Sequence, residues 1–250
     1  MESGFIPMNV DYEMKHSKKL EGQVALVTGG GGAIGGASAK ILANSGAKVL
    51  VADERANMAK KIASEIISEG NMAEPFEFDV AVPEQAKAAV KAAESAFGGL
   101  NILVNVAAAV TPDAPIEKLP FEEWNRAFSV NLSGPFLMAK FAIPAIRASK
   151  GGAIINMASQ LGTIGVPNRS AYCTTKAGLI HLTTILASEV AGDNIRVNSI
   201  SPGVIAFTLY AKVQKYLGAS LTGFTLYLYT IYAAIYGIIF FGEQLQSFHY

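Results

Sequence analysis

The strongest constraint on the fold of this 250-residue chain is the glycine-rich segment 28–35 (TGGGGAIG), which lies between an apolar run and a helical pattern. The apolar run, residues 23–27 (QVALV), has the unbroken hydrophobicity of a parallel strand buried on both faces. Glycines allow close approach to a pyrophosphate group, and the helix that follows offers free N–H groups and a positive dipole end. The context predicts a dinucleotide-binding turn, and a flexible glycine linker fits it poorly.

Strand and helix patterns alternate along most of the chain. The strand patterns are residues 23–27, 48–52, 75–78, 101–106, 153–157 and 194–200, and the helical patterns after the glycine turn are 56–69, 83–97, from about 121, and 170–190. The alternation predicts an α/β fold, a Rossmann-like doubly wound parallel sheet with six recognisable strands and helices on both faces. Pro135 and Pro144 are expected to kink or divide the helical region that begins near Phe121.

Polar or small residues directly follow the strand patterns. They are Gly29, Asp53, Asp79, Asn105, Ser159 and Pro202. The carboxyl ends of parallel strands meet at one edge of the sheet, where ligands bind in such folds. We therefore expect these residues to lie at one edge, and the small residues around Ala107 to let the chain pass close to a bound dinucleotide.

Asp53 ends the second strand pattern, about 18 residues after Gly35. A carboxylate there can accept hydrogen bonds from the adenosine ribose and would repel a 2′-phosphate. The glycine turn contains no Lys or Arg to offset that repulsion, so NAD is the preferred cofactor. Arg55 lies nearby and keeps NADP as the alternative. Asp53 could also cap the helix that begins near Ala56, and the two roles are compatible.

Tyr172 and Lys176 are four residues apart in a helical pattern, so they share one face of the helix. A free tyrosine titrates near ~10 and is a poor acid–base catalyst at neutral pH until something favours its anion. A neighbouring ammonium group does so, and the hydroxyl of Ser159, thirteen residues upstream of Tyr172, can polarise a carbonyl. The pair alone is weak evidence, because ordinary amphipathic helices contain the same spacing.

The composition argues against several other functions. The formal net charge is zero, so no basic surplus indicates nucleic-acid binding. Three His and one Cys form no metal-ligand cluster, and we predict no metal site. The single cysteine, Cys173, fits a reducing compartment and is interpreted as a packed residue. Residues 1–20 lack the apolar core of a signal peptide and are interpreted as an N-terminal arm.

Several motifs occur in the order found in the short-chain dehydrogenase/reductase family, which the chain resembles up to about residue 206. The matching residues are the turn 28–35 (T-G-x-x-x-G-x-G in the family), Asn131, Ser159, the Y-x-x-x-K pair Tyr172 and Lys176, and Pro202 with Gly203. The nearest kinds are 3-oxoacyl-carrier-protein reductases and sugar or alcohol dehydrogenases. The resemblance implies an NAD(P)(H)-dependent oxidoreductase that interconverts a ketone and a secondary alcohol.

The resemblance also implies residue roles. Tyr172 would be the general acid–base, and Lys176 would stabilise its anion and hold the nicotinamide ribose. Ser159 would bind the substrate oxygen, and Asn131 would hold a water molecule in a proton relay. The implied catalytic residues are Asn131, Ser159, Tyr172 and Lys176. The implied cofactor-binding residues are Thr28, Gly29, Gly32, Ile34, Gly35, Asp53, Asp79, Val80, Asn105, Ala107, Lys176, Pro202 and Gly203.

Two short segments depart from the family pattern. Ala33 replaces the middle glycine of the turn, and we expect this methyl group to be tolerated with weaker cofactor binding. The family's N-N-A-G reads Asn105-Val106-Ala107-Ala108 here, which affects local stability more than chemistry.

The region after Gly203 does not resemble the family, which would continue with substrate-covering helices and a seventh strand. Residues 217–241 contain no charged residue, and this length of about 25 residues can cross a ~30 Å hydrocarbon core as a helix. The segment resembles part of drug/metabolite transporter-type membrane proteins. We therefore expect a fusion of a truncated dehydrogenase with a hydrophobic helical tail. The alternative is a divergent dehydrogenase whose tail packs as an apolar lid or a subunit interface.

These observations divide the chain into an arm (1–20), an NAD(P)-binding domain (21–206) and a tail (207–250) with a candidate transmembrane segment at 217–241. The expected partners are a small-molecule carbonyl or alcohol substrate and, from the resemblance, further copies of the chain. Lys212 and Lys215 favour a cytoplasmic location, with the tail as a tether to the inner face of a membrane. The alternative function is a cofactor-binding protein with weak catalysis. A transport component is a third hypothesis, poorly supported by one hydrophobic segment.

Overall fold

The computed structural model describes residues 18–203. These belong to two units of the chain, Met1–Ser201 and Pro202–Tyr250, and the second contributes Pro202 and Gly203. The predicted tail (207–250), its candidate transmembrane segment and the predicted lack of a seventh strand all concern residues outside this range. Between residues 18 and 203, no helix is both long and apolar enough to cross a membrane.

Six strands and six α-helices alternate through the first unit. The strands are β1 (Val24–Thr28), β2 (Lys48–Asp53), β3 (Ala73–Glu77), β4 (Ile102–Asn105), β5 (Gly152–Met157) and β6 (Ile195–Ile200). The helices are α1 (Ala33–Asn44), α2 (Ala56–Ser68), α3 (Pro83–Phe97), α4 (Phe121–Phe128), α5 (Gly134–Ala148) and α6 (Ser170–Glu189). A π-helical segment, Ser129–Ser133, joins α4 to α5, and 3₁₀ turns cover Ile116–Lys118, Gln160–Gly162 and Ala191–Asp193.

The six strands form one parallel sheet in the order β3-β2-β1-β4-β5-β6. The order runs one way from β1 to β3 and the other way from β4 to β6, so the direction of winding reverses between β1 and β4. A crevice opens at such a reversal, beyond the carboxyl ends of the strands. The predicted Rossmann-like sheet of six strands is therefore confirmed for the described residues.

Alternate side chains of the central strands pack into two separate cores. Leu26 and Leu50 belong to the core on the face that carries α3 and α5. Their neighbours Val27 and Val51 belong to the core on the face that carries α1 and α2. Successive residues of a strand point to opposite faces of the sheet, so continuous apolar runs are needed to fill both cores.

The predicted elements agree with the structure in kind and mostly in extent. Helix α3 has the predicted bounds, Pro83–Phe97. Strand β3 begins at Ala73, two residues before the prediction, because backbone pairing with β2 continues past the apolar residues.

The division of the helical region after Phe121 differs in part from the prediction. The break is the π-helical segment Ser129–Ser133. Pro135 follows two residues after its end and occupies the first turn of α5. A proline is tolerated there because first-turn N–H groups have no intrahelical acceptor. Pro144 does not divide α5, which continues to Ala148. The expected kink at Pro144 stays a prediction.

Removing a fully buried side chain from the sheet should strongly destabilise the domain. Leu103 is 0% exposed in β4, so Leu103→Ala leaves a cavity, and we expect the free energy of unfolding to fall by about 2–5 kcal/mol. Urea denaturation monitored by circular dichroism measures this change. The control is Ile67→Ala on α2, where the side chain is 53% exposed and the expected change is within about 0.5 kcal/mol. Equal effects of the two substitutions would contradict the burial assigned to β4.

Candidate functional site

A groove of about 580 Å³ lies at the carboxyl edge of the sheet, where the winding reverses. Its lining consists of Gly29, Gly32, Ala33, Ile34, Gly35, Asp53, Glu54, Arg55, Phe78, Asp79, Val80, residues 106–110, Arg126 and Val130. The groove thus brings together eight predicted cofactor-binding residues, which are Gly29, Gly32, Ile34, Gly35, Asp53, Asp79, Val80 and Ala107. Thr28, Asn105, Lys176, Pro202 and Gly203 are not among its lining residues.

Several glycines of the turn have no space for a side chain, and Gly29 and Gly35 are crowded by backbone atoms. Gly29 has a φ of 64°, and a Cβ there would lie 2.8 Å from the Cα of Ala107. A Cβ on Gly35 would overlap the carbonyl oxygen of Gly29. The turn and the segment after β4 therefore approach each other backbone to backbone. Thr28 fixes this approach, because its Oγ1 accepts hydrogen bonds from the N–H groups of Val106 (3.1 Å) and Ala107 (3.2 Å).

Helix α1 presents its N-terminus to the groove. The N–H of Gly36 donates to the Gly32 carbonyl at 2.7 Å, which closes the first turn of the helix. The three residues between them, Ala33, Ile34 and Gly35, all line the groove. N–H groups of a first helical turn have no intrahelical acceptor and favour anions. Ala33 begins the helix, so the residue that replaces the family's glycine sits where a side chain is compatible with helical backbone.

Asp53 is buried at the end of β2 and is bonded into the turn. One carboxylate oxygen accepts a hydrogen bond from the N–H of Gly31 at 2.9 Å. The other accepts from the backbone N–H of Arg55 at 3.0 Å and from its Nε at 3.1 Å. The residue that directly precedes α2 is Arg55, so the suggested cap of that helix by Asp53 is not formed.

Asp79 and Val80 border the groove after β3. Asp79 is exposed, and its carboxylate accepts a hydrogen bond from the N–H of Ala81 at 2.8 Å. Val80 is buried against Gly134, where a Cβ would lie 2.9 Å from both valine methyl groups. Both of these predicted cofactor-binding residues therefore line the groove.

Asn105 lies inside the protein, although we predicted it as a cofactor-binding residue. Its Nδ2 donates to Asn156 Oδ1 at 2.9 Å, and Asn156 Nδ2 donates to Thr183 Oγ1 at 2.9 Å. The Oδ1 of Asn105 is buried and has no hydrogen-bond partner within residues 18–203. This chain of amides links β4, β5 and α6. Sequence reasoning missed Asn156 and Thr183, although an Asn inside the fifth apolar run was a visible signal.

Ser159 directly precedes the 3₁₀ turn Gln160–Gly162 and is 4% exposed. Its Oγ accepts a hydrogen bond from the N–H of Leu161 at 3.1 Å, which leaves the hydroxyl hydrogen to be donated elsewhere. The turn packs on α6, since a Cβ on Gly162 would lie 2.8 Å from the carbonyl carbon of Lys176. Ser159 is thereby held next to the helix that carries the other predicted catalytic residues.

Tyr172 and Lys176 adjoin each other in the first two turns of α6. The Nζ of Lys176 lies 5.6 Å from the centre of the Tyr172 ring and donates to the carbonyl of Met157 at 2.7 Å. Lys176 is 2% exposed, and burial lowers the pKa of its ammonium group to about 8. The structure thus places the only amine of this helix between the end of β5 and the tyrosine ring.

Asn131 is fully buried in the π-helical segment, and its side-chain amide forms hydrogen bonds within the protein. Its Oδ1 accepts from the N–H of Ala109 at 2.7 Å, and its Nδ2 donates to the Ala109 carbonyl at 3.0 Å. The same Nδ2 lies 3.3 Å from the Oγ1 of Thr175, which donates to the Tyr172 carbonyl at 2.9 Å. Asn131 therefore joins the segment after β4 to α6, and Thr175 is a third residue that sequence reasoning missed.

Pro202 and Gly203 follow β6 in sequence and belong to the second unit. They keep their predicted place after the sixth strand. Their role with a cofactor stays a prediction.

The sheet order and the crevice define a Rossmann-type α/β domain, and comparison with known proteins gives the family. A sequence model described as short chain dehydrogenase matches residues 23–216, beyond the boundary that we predicted at 206. The chain belongs to the short-chain dehydrogenase family.

Individual proteins of known sequence or structure are also similar to most of the chain. Cyclohexanol dehydrogenase of Acinetobacter sp. (strain SE19) is 40% identical over 199 residues, which are 80% of this chain and 79% of that protein. D-threitol dehydrogenase of Mycolicibacterium smegmatis is 37% identical over 205 residues, 82% of this chain and 77% of the relative. The crystal structure of NAD+-bound xylitol dehydrogenase is similar with a TM-score of 0.72 and 34% identity, over 74% of this chain and 71% of that one.

The buried ammonium group of Lys176 should make stability depend on pH in the alkaline range. Its pKa is about 8 in the fold against an ordinary value of 10.5, so between these values the unfolded chain binds more protons. The free energy of unfolding then gains a contribution as the pH rises from 8 to 10.5. Lys176→Met removes this titration. We expect the difference, wild type minus variant, to grow by up to about 3 kcal/mol across this window in urea denaturation without cofactor.

The control for this experiment is Lys87→Met, since Lys87 is exposed on α3. Its difference from wild type should stay constant over the same pH range. A constant difference for Lys176→Met as well would show that the ammonium group is hydrated in the folded protein.

Proposed function

We propose that the protein is an NAD(P)(H)-dependent oxidoreductase that interconverts a secondary alcohol and a ketone, with NAD as the preferred cofactor. The observation that carries the proposal is the placement of Lys176. Its buried ammonium group lies beside the Tyr172 ring and on the carbonyl of Met157, two residues before Ser159. Tyr172 as the acid–base group, Lys176 as the cation and Ser159 as the hydroxyl donor thus belong to the carboxyl edge of the sheet, which also carries the groove.

The groove fits a dinucleotide in its shape and in its donors. Gly29 and Gly35 leave no room for Cβ atoms, the first turn of α1 supplies N–H groups for a pyrophosphate, and the buried Asp53 carboxylate suits ribose hydroxyls. NAD, when bound, supplies the acceptor for the hydride of the alcohol. Asp53 and Arg55 decide between the two cofactors in this proposal, since the carboxylate repels a 2′-phosphate and the guanidinium attracts one.

The chain's own residues handle the proton and the substrate oxygen. In alcohol oxidation, the Tyr172 phenolate oxygen takes the hydroxyl proton of the substrate, and in ketone reduction the phenol returns it. The Lys176 ammonium group stabilises the phenolate form by its charge. Ser159 donates its hydroxyl hydrogen to the substrate oxygen, because Leu161 N–H already occupies one of the acceptor positions of Oγ.

Asn131 serves the proton relay through its backbone in this proposal. The side-chain amide is engaged by Ala109 and Thr175. The residue four positions later is Pro135, which has no N–H, so the Asn131 carbonyl cannot accept the usual i to i+4 helical bond. This carbonyl is the group that would hold a water molecule and pass the proton onward from Lys176.

The relatives support the reaction class. Dehydrogenases named for cyclohexanol and D-threitol act on hydroxyl-bearing carbon compounds, and the xylitol dehydrogenase of the solved structure binds NAD+. From these relatives we propose that this chain also catalyses alcohol–ketone oxidoreduction with a nicotinamide cofactor. Association into a homo-oligomer, also expected from the family resemblance, belongs to the same proposal.

A second proposal is a cofactor-binding protein with weak catalysis, tethered to a membrane by the segment 217–241. The uncharged composition of that segment is the observation that favours it. In the family pattern this part of the chain covers the substrate, and a cover excludes water and positions the reacting groups. The two proposals therefore differ in turnover and agree in cofactor binding.

Tyr172→Phe should abolish turnover and leave cofactor binding intact. We expect kcat for a secondary alcohol to fall by a factor of about 100 or more, because the proton acceptor is removed. The assay follows NADH formation by the full-length chain in mild detergent, and fluorescence titration measures the Kd for NADH. Cys173→Ser, at the next position of α6, is the control and should retain activity. Equal turnover by wild type and Tyr172→Phe would overturn the catalytic assignment, and NADH binding without wild-type turnover would favour the second proposal.

Asp53→Ala should shift cofactor preference toward NADP. The substitution removes the charge that repels a 2′-phosphate and releases Arg55 from its ion pair. We expect the ratio of Kd for NAD to Kd for NADP to rise by about 10- to 100-fold, the range for a charge-assisted hydrogen bond. Glu54→Ala, which removes the neighbouring acidic residue of the groove lining, should change the ratio much less. An unchanged ratio in Asp53→Ala would contradict the proposed role of this carboxylate.

A further inference from the structure

We infer that the substrate is a neutral, largely apolar secondary alcohol or its ketone, such as an alicyclic alcohol, and that the Asp113–Arg169 ion pair excludes charged substrates. The inference deepens the proposed function and rests on it. It is carried by the two loops that flank the predicted catalytic residues, residues 106–115 after β4 and residues 158–169 between β5 and α6.

An ion pair and a backbone hydrogen bond link the two loops near Tyr172. Arg169 Nε lies 2.7 Å from Asp113 Oδ1, and the N–H of Ala114 donates to the carbonyl of Asn168 at 3.1 Å. Arg169 directly precedes α6, three residues before Tyr172. These two bonds therefore hold the C-terminal end of each loop at the start of α6, the helix that carries Tyr172 and Lys176.

The ion pair uses every charged side chain that the two loops contain. Asp113 is the only charged residue in 106–115, and Arg169 is the only one in 158–169. A third charge in the vicinity, Arg126, is also engaged, because it pairs with Glu123 at 2.9 Å and donates to the carbonyl of Val110 at 2.7 Å. A carboxylate or phosphate on the substrate would have to break one of these pairs to find a partner on the loops.

The exposed side chains of the loops include large aliphatic groups. Val110 is 64% exposed and lines the groove, while Ile164 and Val166 are 43% and 37% exposed. Two threonine hydroxyl groups of the same loops are either buried or already donate to the protein. Thr111 is 4% exposed, and Thr163 donates its hydroxyl hydrogen to the carbonyl of Gln160. Placed against these aliphatic side chains, the extra hydroxyl groups of a polyol lose water without gaining a partner, and a hydrocarbon ring does not.

A substrate panel tests the inference on the full-length chain with NAD. The probes are cyclohexanol, xylitol and 3-hydroxycyclohexanecarboxylate, which represent an apolar, a polyhydroxylated and an anionic secondary alcohol. We expect kcat/KM for cyclohexanol to exceed the other two by about 10-fold or more, since each buried and unpaired polar group carries a penalty of that order. Preference for xylitol or for the carboxylate overturns the substrate class and leaves the reaction type standing. Oxidation of none of the three overturns both.

Neutralising one half of the ion pair tests its role as a charge filter. Asp113→Asn leaves the Arg169 guanidinium unpaired, so kcat/KM for the carboxylate should rise about 10-fold relative to that for cyclohexanol. The double variant Asp113→Asn/Arg169→Gln is the matched control and should return the ratio to the wild-type value. A structural role alone would lower activity on both substrates equally. An unchanged ratio in Asp113→Asn would therefore overturn the assignment.

Discussion

The buried contact between the Lys176 ammonium group and the Met157 carbonyl is the interaction on which the rest of the site depends. Taking an ammonium group out of water is costly, and the lowered pKa of about 8 expresses that cost. A single carbonyl bond at 2.7 Å offsets only part of it. An apolar side chain at this buried position would avoid that cost. Leu179, one turn further along α6, is such a buried apolar residue. The fold therefore retains a destabilising charge where it can act on the Tyr172 ring.

That charge can be kept in place because side-chain bonds tie α6 both to the sheet and to the π-helical segment Ser129–Ser133. Thr183 bonds to Asn156 of β5, and Thr175 bonds to Asn131 of the π-helical segment. Both threonines follow Tyr172 at helical spacing and lie on the buried side of α6. These two threonines and Lys176 lie on the same side of the helix. A rotation of α6 would therefore break both threonine bonds and the bond from Lys176 to Met157 together. The polar chain thus fixes the orientation that apolar packing alone would leave adjustable.

The sequence predicted local features well and long-range bonding poorly. The six strands, the bounds of α3 and the glycine turn follow from periodicity and from glycine and proline positions, which are local signals. The amide of Asn131 is bonded to Ala109, 22 residues away, and Asn105 to Asn156, 51 residues away. No pattern within a window of residues specifies such partners. Pro144 does not divide α5 for a related reason, because buried packing of α5 against α3 lets the helix continue past a residue that locally favours a break.

Asp53 shows how a site can be formed before its ligand arrives. A carboxylate offers about four acceptor positions, and Gly31 and Arg55 occupy three of them here. A ribose hydroxyl bound as we propose would use the remaining position, so it adds a bond and displaces none. The bond to Gly31 also holds the glycine turn against the end of β2, where Gly31 has no room for a Cβ. Cofactor preference and the shape of the turn therefore depend on the same carboxylate, which ties the choice of nucleotide to the conformation of the pyrophosphate-binding turn.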